Sequence, residues 1–126
     1  MSKIQSYKDL LIWQKGIEIT DKVYLLTKSF PSEEIYSLTN QIKRASVSIP
    51  SNIAEGFGRN STKSYVNFLK ISRGSLYELE TQLIIAEKQK FISDLDLLQS
   101  IIDLISEEGK MINSYINKIE LSNINV

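Results

Sequence analysis

Apolar residues recur along most of the chain at the alternating three-and-four spacing of amphipathic helices, in four successive segments. From about residue 8 to 29 they form two stripes, Leu10, Trp13, Ile17, Tyr24 and Ile12, Ile19, Val23, Leu26, Phe30. Two stripes leave two readings open: one wide face inside a single bundle, or a core face and a subunit contact. Phe30, Pro31 and Ser32 stop this helix, and Ser32 is placed to cap the next, with Glu33 and Glu34 at its positive start. The second helix, about 33–56, repeats Ile35, Leu38, Ile42, Ala45, Ile49, then Asn52 and Ile53, then Gly56. Pro50 falls inside that repeat and removes a hydrogen bond to the carbonyl of Ser46. Either one bent helix runs through it, with Ser46 and Ser48 helping to satisfy the freed carbonyl, or the helix ends there.

Gly56, Phe57 and Gly58 form a helix stop with two residues able to take positive φ, and Asn60 or Ser61 can cap a third helix over about 61–89. Its seam is Leu69, Ser72, Leu76, Leu79, Leu83 and Ala86, with Tyr65 and Phe68 flanking the start. Ser93, with Asp96 three positions on, reads as a capping-box variant opening the last helix, about 94–120. That helix carries two seams: Leu95, Leu98, Ile102, Ile105, Gly109, Ile112, Ile116, Ile119, and Leu97, Ile101, Leu104, Met111, Tyr115. Residues 122–126 lose the pattern and are expected to fray. Short connections between long helices predict a single all-α domain, an antiparallel up-down-up-down four-helix bundle.

Composition narrows the chemistry. The 126 residues include no cysteine and no histidine, so disulfides, thiolate nucleophiles, imidazole bases and the usual zinc ligands are all missing. Helical di-iron sites use Glu-x-x-His, so no metal or other cofactor is expected. Glu78 and Glu80 lie two apart and point away from each other on a helix, so they are no acid–base pair. No catalytic set can be named, and the expectation is a non-enzyme. There is no leader-like start and no apolar run near the roughly 18 residues that span a bilayer, which predicts a cytoplasmic protein without membrane contact.

The net charge is zero but unevenly spread: residues 1–40 are neutral, 41–73 carry +5 and 74–126 carry −5. Lys43, Arg44, Arg59, Lys63, Lys70 and Arg73 supply the basic block, with Glu55 as its one acid. Arg44, Ser48, Asn52, Glu55 and Arg59 share one stripe if helix continues that far, and Lys63, Asn67 and Lys70 share another. These six basic residues are candidates for phosphate contact. Gly56-Phe57-Gly58-Arg59 lacks the spacing of a phosphate loop, although the following helix start beside Arg59 is a generic anion site. The competing reading is a structural polar network of Asn52, Glu55, Arg73, Glu78 and Glu80, favoured for Arg73 and Glu55. Trp13 and the six tyrosines could stack on bases, but their core spacing favours packing.

The run QIKRASVSIPSNIAEGFGRNSTKSYVNFLKISRGSLYELETQL, with YKDLLIWQKG near the start, resembles the four-helix bundle family known as S23 ribosomal protein, encoded by intervening sequences in bacterial 23S rRNA genes. The resemblance covers roughly residues 7–92 and is most specific in SIPSNIAEG, residues 48–56, and in the following RGSL and ELETQL. It implies an up-down bundle assembled as a cyclic homo-pentamer. A relative serves as the accessory protein of diversity-generating retroelements, binding a reverse transcriptase and nucleic acid through a basic surface. Two functions are therefore expected as alternatives: binding of RNA, DNA or a nucleoprotein by a ring that repeats the basic block, or a protein–protein scaffold whose basic block meets the acidic half of a neighbour.

Overall fold

The computed structural model describes residues 3–124. They form four helices, α1 (Leu11–Thr27), α2 (Leu38–Phe57), α3 (Thr62–Lys88) and α4 (Leu95–Ile124), and the described residues contain no strand. Short 3-10 turns at Tyr7–Asp9 and Ser32–Glu34 precede α1 and α2. Cross-helix contacts fix the topology. Thr20 meets Ser46 and Gly16 meets Pro50 between α1 and α2; Ser48 meets Ser75 between α2 and α3. Arg73 meets Asn113 and Tyr65 meets Tyr115 between α3 and α4, and Lys15 meets Glu107 and Lys22 meets Ser100 between α1 and α4. In each pair one helix rises in number as the other falls, so neighbours are antiparallel. The bundle is up-down-up-down, with α1 and α3 at opposite corners and no close approach between their backbones.

The second of the two α1 stripes is the core: Ile12, Ile19, Val23, Leu26 and Phe30 are all buried. The other stripe grades outward, from buried Leu10 through half-buried Trp13 and Ile17 to exposed Tyr24. On α4 the buried line is Leu98, Ile101, Ile105, Ile112 and Ile116, drawn from both of the seams the periodicity offers, while Leu95 is exposed.

α2 continues through the proline position as one helix. The carbonyl of Ser46 that Pro50 cannot serve receives the Thr20 hydroxyl of α1 at 3.0 Å, a group that also lies 2.9 Å from its own helix's Gly16 oxygen. Ser46 instead turns its hydroxyl to Lys43 O, and Ser48 bonds Ser75. One turn on, Ser72 of α3 donates to Ile49 O at 2.8 Å. Neighbouring helices therefore supply the donors at the proline, and the absence of a side chain at Gly16 lets α1 approach the ring, since a Cβ there would stand 3.3 Å from Pro50.

Several helix ends depart from the pattern. Ser32 does not cap α2: the chain makes a 3-10 turn there, Ser37 takes a non-helical conformation, and α2 begins at Leu38. Ile35 is consequently exposed, because it stands before the helix whose seam it was expected to extend. None of the described glycines takes positive φ, and Gly58 sits at −77°. Gly56 is needed for space, where α2 comes close against Tyr65 and Phe68 of α3. Ser61 caps α3, accepting from Ser64 N. At the start of α4 it is Asp94 whose carboxylate accepts from Leu97 N, while Ser93 donates to Ser29. α4 continues through residue 124 where fraying is expected from 122, and Asn125 and Val126 lie outside the described residues.

The left-handed position at the end of α3 falls on Lys90, φ 62°. Phe91 N bonds Ala86 O and Lys90 N bonds Glu87 O, the paired bonds of a Schellman turn. A lysine there carries a Cβ penalty that glycine lacks, so Lys90→Gly is expected to raise stability by about 1 kcal/mol, read as a higher urea midpoint at unchanged slope.

Candidate nucleic-acid interface

The six basic candidates do not form one patch. Lys43 and Arg44 lie near the start of α2, and Arg59, Lys63 and Lys70 lie around the corner where α2 gives way to α3. Roughly 20 Å of helix separates Arg44 from Arg59 at 1.5 Å per residue. Arg73 faces elsewhere: it is half-buried and donates to Asn113 Oδ1 of α4 at 2.8 Å.

Each group has its own setting. Lys43 leans over the Tyr24 ring, 4.9 Å from its centroid, beside a shallow groove between α1 and α2. Arg44 is exposed on the ridge between that groove and a polar one lined by Glu78 and Gln82. Gln82 is buried there, its side-chain carbonyl oxygen without a partner among the described residues. At the corner, Arg59 bonds Glu55 at 2.7 Å and lies over Phe68, 5.0 Å from the ring. This ion pair is exposed and worth little. Lys63, Asn67 and Lys70 are exposed along one stripe of α3, and among the described residues neither lysine has an acidic side chain within ion-pair distance.

The five residues of the expected polar network are not joined to one another. Asn52 Nδ2 donates to the Ser48 carbonyl and hydroxyl, Glu55 pairs with Arg59, and Arg73 goes to Asn113. Glu78 and Glu80 make no ion pair among the described residues. The reason is helical phase: Arg73 looks toward α4, whereas Glu55 sits on the outer side of α2. The Ser48–Asn52–Ser75 cluster instead ties α2 to α3. Of the aromatic residues, Trp13 packs edge-on to Tyr7, and Tyr65 packs against Phe57 and Tyr115, whereas Tyr24, Tyr36 and Tyr77 are exposed against the expectation of packing.

One charged residue escaped the pattern altogether. Glu108 is fully buried on α4, neither carboxylate oxygen has a hydrogen-bond partner among the described residues, and burial pushes its pKa from 4.5 up to about 8 against the opposing pull of Lys15. Nearby, Lys15 bonds Glu107 at 2.8 Å, which raises the lysine's pKa. The signal for Glu108 lay in the spacing 101, 105, 108, 112, which an acid at the third place obscures. Tyr65 is likewise shifted upward by burial and by its 3.1 Å bond to Tyr115. Among the described residues no group of three acids could hold a metal ion, and no helix is long and apolar enough to cross a membrane.

The structure resembles a solved protein of unknown function from the S23 ribosomal protein family of Bacteroides thetaiotaomicron VPI-5482, with a TM-score of 0.76 and 25% identity over 85% of this chain and 96% of that one. No curated protein matches the chain. The model of the 23S rRNA-intervening sequence protein family matches residues 8–114, which span all of α1 to α3 and two thirds of α4. The chain is therefore a member of the 23S rRNA-intervening sequence protein family.

Proposed function

We propose that this protein is a non-enzymatic nucleic-acid-binding module, assembled as a cyclic homo-oligomer, that contacts RNA or DNA phosphates at the corner between α2 and α3. The observation that carries the reading is the exposed Lys63–Asn67–Lys70 stripe, whose lysines have no acidic partner among the described residues, with Arg59 alongside. The family's link to 23S rRNA genes supports RNA as the first nucleic acid to try. Lys43 and Arg44 form a second contact point on the same subunit, and a pentamer, as the family resemblance implies, would repeat both points around a ring. Repetition raises avidity without any new contact and offsets the neutral total charge. A reverse transcriptase or other nucleoprotein partner would use the same surface. Affinity for structured RNA and for duplex DNA, followed by fluorescence anisotropy across salt concentration, tests this. Binding at low salt is expected, with log affinity falling linearly in log salt by about 0.7–0.9 per phosphate contact. No binding of either at low salt would sink the reading.

A scaffold without a nucleic-acid role is the second reading, and one observation favours it. The outer side of α3 leaves Ile71, Tyr77, Ile84 and Ile85 exposed around Gly74, beside Lys70. Such an apolar face next to a basic stripe suits the acidic half of another copy as well as it suits a nucleic acid.

A further inference from the structure

Where α1 begins and α4 finishes, an open groove of about 460 Å³ lies between the two helices and the turn before α1. Leu10, Ile12 and Met111 give it an apolar lining, and its volume is that of a small-ligand site.

The polar groups are arranged for an anion. Lys110, Ser114 and Lys118 follow at four-residue intervals along the α4 wall, and neither lysine has an acidic side chain within ion-pair distance among the described residues. The one acid, Asp9, is already engaged, its Oδ2 accepting from the amides of Gln5 at 2.9 Å and Ser6 at 3.1 Å. Tyr115 also lines the groove; its hydroxyl accepts from Tyr65, and its own proton has no acceptor among the described residues. An apolar trough whose charged lining residues, Lys110, Lys118 and Asp9, sum to one positive charge, and which carries a hydroxyl donor, is complementary to an amphiphilic anion.

We infer that the groove binds a medium-chain fatty-acid carboxylate, with the tail over Leu10, Ile12 and Met111 and the head group held by Lys110 and Lys118 with a hydrogen bond from Tyr115. This site shares no lining residue with the α2–α3 corner, and amphiphile binding is read separately from nucleic-acid binding, although the Tyr65–Tyr115 bond places both at the same end of the bundle.

The chain's one tryptophan, Trp13, is next to Ile12 and reports binding by fluorescence. The intact protein is titrated with decanoate, decanol and decyltrimethylammonium, each below its micelle-forming concentration. Decanoate is expected to bind about tenfold more tightly than either of the others. Lys110→Glu with Lys118→Glu should reverse the order in favour of the cation, and Tyr115→Phe should weaken decanoate several-fold while leaving decanol unchanged. Circular dichroism confirms that each variant keeps its helices. Equal affinity for all three amphiphiles would reduce the groove to an apolar surface and overturn the proposal. So would the absence of any saturable change in both the Trp13 emission and the Met111 methyl resonance. A fall in oligomeric mass on adding decanoate would assign the groove to a second copy of the chain and overturn it equally.

Discussion

Glu108→Gln is expected to stabilise the protein by about 3 kcal/mol at pH 7 and to have almost no effect at pH 4. In the unfolded chain this carboxyl ionises from its ordinary value of 4.5, whereas in the folded chain burial holds the proton on until about pH 8. Between those values the unfolded state binds fewer protons, so rising pH favours it. The wild type should lose about 1.4 kcal/mol per pH unit relative to the variant from 4.5 upward, and the difference should level off near 5 kcal/mol above pH 8. Glutamine keeps the shape and remains neutral throughout, so it isolates the proton from the packing. Urea unfolding of both proteins from pH 4 to 8.5, at one protein concentration, reads the difference directly. Parallel stability curves would mean that Glu108 finds a partner or water in solution.

Gly56→Ala is expected to destabilise by about 1–3 kcal/mol, the usual cost of overpacking. Its added Cβ would stand 2.7 Å from Phe68 Cβ and 3.0 Å from Tyr65 Cδ1. The Phe68 atom belongs to the root of its side chain, so relief requires α2 and α3 to part at this point. Gly58→Ala two residues on is the control. There the nearest atom is 3.6 Å away and the backbone is right-handed, so alanine should be nearly neutral. Thermal unfolding compares the two, and equal midpoints would contradict the close-approach role given to Gly56.

The α2–α3 motif illustrates what residue types reveal and what they hide. Its helices and most of its core follow from spacing, because Ile42, Ala45, Ile49 and Ile53 recur every three or four residues and all are buried. The continuity of α2 through Pro50 could not be read that way. It depends on Thr20, thirty residues earlier, and on Ser72, twenty-two later, both donors from other helices. Ile35 failed for a local reason, since the turn at Ser32–Glu34 breaks the phase before α2 starts. Glu108 was hidden because periodicity is sought in apolar residues and its place in the core is taken by an acid. For the candidate interface, sequence gathered six cations into one block of the chain, but only helical phase and the length of α2 decide which share a surface. Arg73 left the block for Asn113, and Lys43 and Arg44 lie far along the helix from the corner.

The central claim is that Lys63 and Lys70, with Lys43, are available to nucleic acid and are not consumed in holding copies of the chain together. The direct measurement is a variant carrying Lys43→Glu, Lys63→Glu and Lys70→Glu, examined by light scattering for mass and by anisotropy for RNA affinity on the same preparation. The account predicts an unchanged oligomeric mass, a large loss of RNA affinity at low salt, and a shallower salt slope in what binding remains. A fall to monomer mass, or RNA affinity equal to that of the wild type, would contradict it.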